Sequence, residues 1–338
     1  MKTVYELDEF MCKPSGALLK DIADIDGDIM VLGAGGKMGP TLCKLTANAI
    51  NKAGINKNII AVSRFSNEDH AIDLKNNGIQ IIKADLLNED NLAALPDVPN
   101  IIYMAGRKFG TSEDQSLTWA MNAYLPGRVA DRFKNSRIVA FSTGNVYPFV
   151  DVDSGGCTET DPTGPVGIYA NSCLGRENIF RYFSKKNGTP TLIFRLNYAI
   201  DLRYGVLLEI ARTVKAGLPL HITTGYFNII WQGYANEAAI RCLLHCGSPA
   251  EIMNITGIET VSARETAEKF ADIFGIRAQF AGIEQDTALL SNASRCMELF
   301  GTPEVSLDDM IMLTAEWVKN EGETLDKPTH FQEREGKF

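Results

Sequence analysis

The stretch VLGAGGKMG, residues 31–39, constrains the fold of this chain more than any other. Gly33, Gly36 and Gly39 recur at three-residue spacing, between the apolar run DIMVLG and the helix-spaced TLCKLTANAINKAG. Glycine at these positions permits a tight turn, lets backbone approach a pyrophosphate, and lets the helix pack closely on the strand. Amide groups at the helix start then face an anion. The loop predicts a nucleotide cradle built from Gly33, Gly36, Lys37, Met38 and Gly39.

The pattern that follows agrees. NIIAVSR, IQIIKAD, NIIYMAG, RIVAFSTG and TPTLIFRL read as further strands, and helical stretches separate them, one over about 112–134 and one over 168–187. Strands rich in Ile and Val that alternate with helices predict an α/β fold, a doubly wound parallel sheet of Rossmann type. Residues 148–167, rich in Pro, Gly, Asp and Thr, read as an active-site loop rather than a linker. Beyond Asn197 the alternation is less regular: LLEIARTVKAGLP and ANEAAIRCLLHCG read as helices and EIMNIT as a strand. SARETAEKFADIFG opens with Ser262 and Glu265 in capping-box spacing. The tail from about 321 is polar and predicts an extended or partly mobile segment.

Several classes are disfavoured. A formal net charge of −9 argues against nonspecific nucleic-acid binding. No apolar run reaches about 18 residues, so no membrane partner or span is expected. MKTVYELDEFMCK lacks the apolar core of a signal peptide, so a cytoplasmic protein with free thiols is expected. Cys242, His245 and Cys246 lie within one helical turn, but no fourth ligand stands near, so no metal site is assigned and packing explains the group.

The second strand ends in Ser63 and Arg64, where a carboxylate would bind the ribose hydroxyls of NAD. Arginine holds a 2′-phosphate with charge-assisted bonds. Lys37 offers a second cation. The expected cofactor is therefore NADP; if Arg64 is instead a solvated side chain stacking on adenine, both NADP and NAD remain possible.

On these motifs the chain resembles the extended short-chain dehydrogenase/reductase family, the branch of sugar-nucleotide epimerases and dehydratases. The resemblance covers about 28–320 and rests on the glycine loop, AD at 84–85, YMAG at 103–106 and FSTGNVYP at 141–148. It rests also on the Tyr169 helix, IFRLNYAIDLRYG at 193–205 and IIWQGYANEAA at 229–239. It implies a dinucleotide-binding part over 28–200 and 229–258, and a smaller α/β C-terminal substrate-binding domain over 201–228 and 259–320, between an extension at 1–27 and the tail at 321–338. Carried over by position, it implies cofactor contacts from Asp85, Leu86, Ala105 and Gly106. It implies substrate contacts from Asn145, Asn197 and Arg203, although a cap or surface role for Arg203 is an equal reading. Thr143 would polarise the substrate oxygen, and Tyr169 would bind cofactor and transfer the proton. A homodimer packed through the helices near 112–134 and 168–187 is also implied, with Trp119, Leu125, Ile179 and Phe183 as its apolar residues or as ordinary core.

One position departs from the family. Its lysine four places after the tyrosine binds the nicotinamide ribose and lowers the phenol pKa. Here that place holds Cys173, a weak donor and neutral. Residues 169, 173 and 176 share one helix face, so Arg176 is the candidate substitute; a surface arginine, Lys108 or Arg107 are the alternatives.

Two functions compete. One is an NAD(P)-dependent oxidoreductase or epimerase acting on a sugar, sugar acid or sugar nucleotide, a small sugar-type molecule. The absence of a carboxylate pair beside Thr143 disfavours a dehydratase. The other is a catalytically silent NADP-binding sensor or scaffold, for which Cys173 speaks.

Overall fold

In the computed structural model, which describes residues 1–108, 110–111 and 113–337, strands and helices alternate along most of the chain. Two helices, α1 (Val4–Met11) and α2 (Gly16–Asp24), precede β1 (Ile29–Leu32). Then come α3 (Gly39–Ala53), β2 (Ile59–Ser63), α4 (Glu68–Asn76), β3 (Gln80–Lys83), α5 (Glu89–Ala93) and β4 (Asn100–Tyr103). A helical stretch follows as α6 (Gln115–Trp119), one π-turn at Ala120–Tyr124, and α7 (Leu125–Arg132). Ser112, at the predicted start of that stretch, lies outside the described residues. After β5 (Arg137–Thr143) and the short β6 (Val150–Asp151) come α8 (Gly167–Asn187), β7 (Thr191–Leu196), β8 (Ala199–Ile200), α9 (Val206–Lys215), β9 (Pro219–His221), β10 (Tyr226–Phe227), β11 (Ile230–Trp231), α10 (Gln232–Arg241) and β12 (Glu251–Ile255). The remainder is β13 (Val261–Ser262), α11 (Ala263–Phe274), β14 (Gln279–Ala281), β15 (Thr287–Ala288), α12 (Ser294–Phe300) and α13 (Leu307–Lys319).

Seven strands form one sheet in the order β12-β7-β5-β4-β1-β2-β3. Every pairing in it is parallel. The doubly wound fold predicted from the alternation is therefore present. The strand order reverses between β1 and β4, and ligands of such sheets bind at the carboxyl ends beside that switch point.

Burial explains the apolar runs. All four residues of β1 are inaccessible, as are those of β4, which sits beside it. Full burial of each such aliphatic side chain contributes about 1.5–3 kcal/mol. One face of the sheet is covered by α2, α3 and α10, through Leu18, Ile22, Leu42 and Ala239. The other is covered by α7 and α8, through Leu125, Val129 and Phe180. Leu125, read as an interface candidate, thus belongs to the core. A separate core joins α9, α11 and α13. Among the described residues no helix is long and apolar enough to cross a membrane.

Both ends of the chain are more ordered than their composition implies. Leu7 and Met11 of α1 enter the core of α9, α11 and α13. The polar tail is extended, as expected, but it is docked rather than mobile. Phe331 is 1% exposed and packs edge-on against Phe227. Thr329 donates its backbone N–H and its hydroxyl to the Glu209 carboxylate. Arg334 donates to the Thr287 carbonyl at 2.8 Å. One buried phenyl ring and a few side-chain bonds were enough to fix a segment whose hydropathy gave no periodic signal.

Candidate active site

The chain leaves β1 at Gly33, whose φ of +93° suits glycine, and a Cβ there would lie 2.6 Å from the Ala105 amide nitrogen. At Gly39 a Cβ would run into the Ala34 carbonyl, so the first turn of α3 packs on the loop only because that side chain is absent. Gly36 differs: a Cβ there would have only the Gly33 oxygen nearby, at 3.4 Å. Its missing side chain leaves space for something outside the loop. Met38 caps α3 without any side-chain bond, so the helix's first amides are left for a ligand anion. A dinucleotide pyrophosphate fits this cradle. Gly35, which the three-residue spacing passed over, is also constrained, because a Cβ there would stand 2.6 Å from the Ser63 hydroxyl.

Two cavities meet at this loop and share Gly33, Gly36, Met104 and Gly106. The first, of about 650 Å³, lies over the ends of β2 and β3. Ser63, Arg64, Asp85, Leu86 and Ala105 line it. Arg64 is exposed at its mouth. The Asp85 carboxylate accepts the Leu87 N–H at 3.0 Å, which fixes the turn after β3. The second, of about 440 Å³, lies over the ends of β5 and β7 and the start of α8. Thr143, Asn145, Tyr169 and Asn197 line it, together with Lys37, Met38 and Gly39. The two groups of predicted residues therefore occupy adjoining halves of one cleft.

In the second cavity the Tyr169 phenol stands beside the Thr143 hydroxyl and the Cys173 thiol, both of which act on its protonation. Thr143 Oγ1 also bonds Asn145 Oδ1 at 3.0 Å and accepts the Asn145 N–H at 3.2 Å. Burial raises the phenol pKa above its ordinary value, Cys173 adds to the rise, and the Arg176 charge opposes it. The Cys173 thiol is itself pushed up, chiefly by burial. Arg176 is 7% exposed and lies behind the cavity wall rather than at the surface. Its Nη1 donates to the Phe141 carbonyl at 2.8 Å and its Nη2 to Asn122 Oδ1 at 2.8 Å. Gly106 lies against the guanidinium, which would clash with a Cβ there. The helix face inferred from i, i+4, i+7 spacing thus brings Tyr169, Cys173 and Arg176 together.

A buried network stands behind these groups. Ser142, which lines the cavity, donates to Glu177 Oε1 at 2.6 Å. Glu177 is inaccessible and pairs with Arg195 through Nε and Nη2, the latter at 2.7 Å. Arg195 reaches the Tyr147 hydroxyl at 2.7 Å, and that hydroxyl donates to Asn254 Oδ1 at 2.8 Å. The network ties β5, α8, β7 and β12 together under the cavity floor. Sequence reasoning missed Glu177, although its position four residues after Cys173 placed a carboxylate on the inward face of α8.

Two predicted cations are not where they were expected. Lys37 turns away from the Arg64 cavity: its Nζ donates to the Ala199 carbonyl at 3.0 Å and stands 4.2 Å from the Tyr204 ring centre. The loop's path over β1 aims it at the opposite half of the cleft, so it supplies no second charge for an adenosine 2′-phosphate. Arg203 does not reach the cavity either. Its guanidinium is held by Asp201 at 2.9 Å and Asp8 at 3.3 Å, the second an acid of α1 that spacing did not connect to it. Lys108, Lys327 and Thr329 line the cavity without having been singled out as substrate contacts. Tyr198, also on its wall, has a φ of 41°, strained for a non-glycine residue. Among the described residues no group of three or more His, Cys, Asp or Glu side chains is placed to hold a metal ion.

Residues 29–200 match the model of the NAD dependent epimerase/dehydratase family. No curated protein matches the chain by sequence. Solved structures do match by fold. A UDP-glucuronic acid 4-epimerase from Bacillus cereus, in complex with a fluorinated UDP-glucuronic acid and NAD, is 20% identical with a TM-score of 0.73, over 87% of this chain and 99% of that one. A dTDP-glucose 4,6-dehydratase from Streptomyces venezuelae, with NAD bound, is 20% identical with a TM-score of 0.73, over 86% and 97%. A UDP-glucose 4-epimerase from Thermotoga maritima is 15% identical with a TM-score of 0.69, over 87% and 99%. At these identities the likeness is one of fold.

Proposed function

From the premise that the chain belongs to the NAD dependent epimerase/dehydratase family, we propose that it is a nicotinamide-dependent oxidoreductase or epimerase acting on a sugar-type substrate, with Tyr169 as the acid/base. The observation that carries the reading is the grouping of Tyr169 with the bonded pair Thr143 and Asn145 on the wall of a cavity continuous with the glycine loop. A bound nicotinamide would supply hydride acceptance and donation. Thr143 would hold the substrate oxygen, and Tyr169 would take or return its proton. Arg176, a buried cation on the Tyr169 face of α8, would stabilise the phenolate through the wall, as a positioning residue. Asn145 and Asn197 would orient the other hydroxyls. The cofactor cradle would be the glycine loop with Ser63, Arg64, Asp85, Leu86, Ala105 and Gly106, and Arg64 favours NADP over NAD, now without help from Lys37.

The C-terminal part, 201–228 and 259–320, would form the substrate-binding half. Exposed Trp119, Tyr124 and Tyr182 on α6 to α8 support a homodimer through those helices. All seven cysteines are free thiols, which supports a reducing, cytoplasmic setting.

A second reading has its own observation. With the lysine replaced, burial pushes the Tyr169 phenol up, which disfavours proton transfer near neutral pH. A silent NADP-binding sensor would look the same. Turnover of a broad panel of sugars, sugar acids and sugar nucleotides with NADP, followed at the nicotinamide absorbance, separates the two. The enzyme reading expects turnover that Tyr169→Phe abolishes while NADP uptake persists. Uptake without turnover of any compound, by the wild type or by Cys173→Lys, refutes it.

A further inference from the structure

The end of the chain forms part of the Tyr169 cavity. Residues 322–337 belong to no strand or helix, yet they follow a defined path beside the cleft. The Leu325 N–H bonds the Arg203 carbonyl at 3.0 Å, just before α9. Lys327 and Thr329 then enter the cavity wall. Phe331 inserts into the core of α9, α11 and α13, against Phe227. Beyond it, Arg334 donates to the Thr287 carbonyl at 2.8 Å and to the Thr287 hydroxyl at 2.7 Å, and lies 4.2 Å from the Phe149 ring centre. Gly336 ends the path against Gly167, the first residue of α8, and neither glycine has room for a Cβ. Asn145, on the cavity wall, also faces a small void that Arg334 and Gly336 line. The tail thus runs along one side of the cavity, from α9 to the start of the Tyr169 helix.

This side is held differently from the others. Thr143 ends a seven-residue strand and Tyr169 stands in a 21-residue helix, so sheet and helix ladders fix them. The tail is fixed at points, chief among them one buried ring, the Glu209 carboxylate on Thr329, and Arg334 on Thr287. Asp326 and His330, on either side of Thr329, have φ of +46° and +56°. Such left-handed conformations are strained in non-glycine residues, and undocking relieves them. A segment with few buried apolar contacts opens locally far more often than the whole fold does. Hydride transfer needs a site shut from water, and ligand exchange needs it open. The tail is a wall that can supply both states.

Resting on the nicotinamide reading above, we propose that residues 326–337 are a strap over the Tyr169 cavity. It undocks to pass cofactor and substrate, and it redocks through Thr329, Phe331 and Arg334 to shut them in. A dinucleotide that touches the closed wall shifts the strap toward its docked state.

Hydrogen exchange and stopped-flow release of NADPH, both on the full-length protein, test this together. NADPH uptake is measured first, by its fluorescence; no uptake overturns the nicotinamide reading and this inference with it. Without ligand, the segment holding the Thr329 and Phe331 amides, both bonded in the docked strap, should exchange at least tenfold faster than β4. Saturating NADPH should slow that exchange at least threefold. Phe331→Ala should release NADPH at least tenfold faster than the wild type. If that variant does not fold, Arg334→Met, which lies outside the apolar core, should release it at least threefold faster. Given NADPH uptake, a tail protected as fully as β4, tail exchange indifferent to NADPH, or release no faster than from the wild type overturns the strap alone.

Discussion

Two glycines of one loop should fail in opposite ways. A Cβ at Gly36 would meet only the Gly33 oxygen, at 3.4 Å, so Gly36→Val should leave the unliganded protein within about 0.5 kcal/mol of wild type. The added methyls would instead fill the space above the first turn of α3, where the pyrophosphate of the proposed cofactor would sit. A hundredfold loss of affinity is about 2.7 kcal/mol. At a cofactor concentration of 100 times the Kd, binding stabilises the wild type by about 2.7 kcal/mol. For 338 residues the unfolding entropy is roughly 0.7 kcal/mol/K, so saturating cofactor should raise Tm by about 4 °C. Gly36→Val should lose nearly all of that rise at the same concentration. Gly39→Ala should do the reverse: its Cβ collides with the Ala34 carbonyl, and overpacking costs about 1–3 kcal/mol, lowering the unliganded Tm by roughly 1–4 °C. Thermal unfolding with and without NADP reads both. A Gly36→Val protein that keeps the full cofactor shift, or one destabilised as much as Gly39→Ala before any cofactor is added, would refute the assignment of Gly36 to the ligand and Gly39 to packing.

Other consequences are equally direct. Arg176→Met should lower kcat/KM at least tenfold and move the basic limb of the pH–rate profile upward, because the cation that opposes the rise of the Tyr169 phenol is gone, while Arg176→Lys should restore part of both; a profile unmoved by the methionine variant would remove Arg176 from the mechanism. Glu177→Leu leaves Arg195 buried without its partner and should cost about 3–5 kcal/mol, seen as a fall in Tm of roughly 4–7 °C with Ser142 released from its tether. Lys37, facing Asp201, Lys108 and Arg203, and Lys108, facing Glu209 and Cys173, are charged below about pH 8 and neutral above it. An anionic ligand in the cavity beside Tyr169 should therefore bind progressively more weakly as pH rises from 7 to 9, whereas an uncharged one should not respond; calorimetric titrations at both ends of that range measure the difference.

The parallel sheet and the glycine cradle were legible because both are local. Strand periodicity and the three-residue spacing of Gly33, Gly36 and Gly39 stand within a few dozen residues, and their physical reasons do not depend on distant partners. The common face of Tyr169, Cys173 and Arg176 was legible for the same reason, since helix geometry alone aligns them. What escaped was set by long-range placement. The aim of Lys37 depends on Ala199, 162 residues away in sequence. The capture of Arg203 depends on Asp8 in α1. The docking of the tail depends on Glu209, 120 residues before Thr329, and on a pocket for Phe331 between elements that share no sequence pattern with it. A polar composition predicts mobility only where nothing distant binds the segment.

Calorimetric titration of NADPH and NADH into the purified protein tests the central claim most directly. One dinucleotide should bind per chain, NADPH the more tightly, with Arg64→Ala erasing that preference. Failure of folded protein to take up either nucleotide would contradict the account at its root.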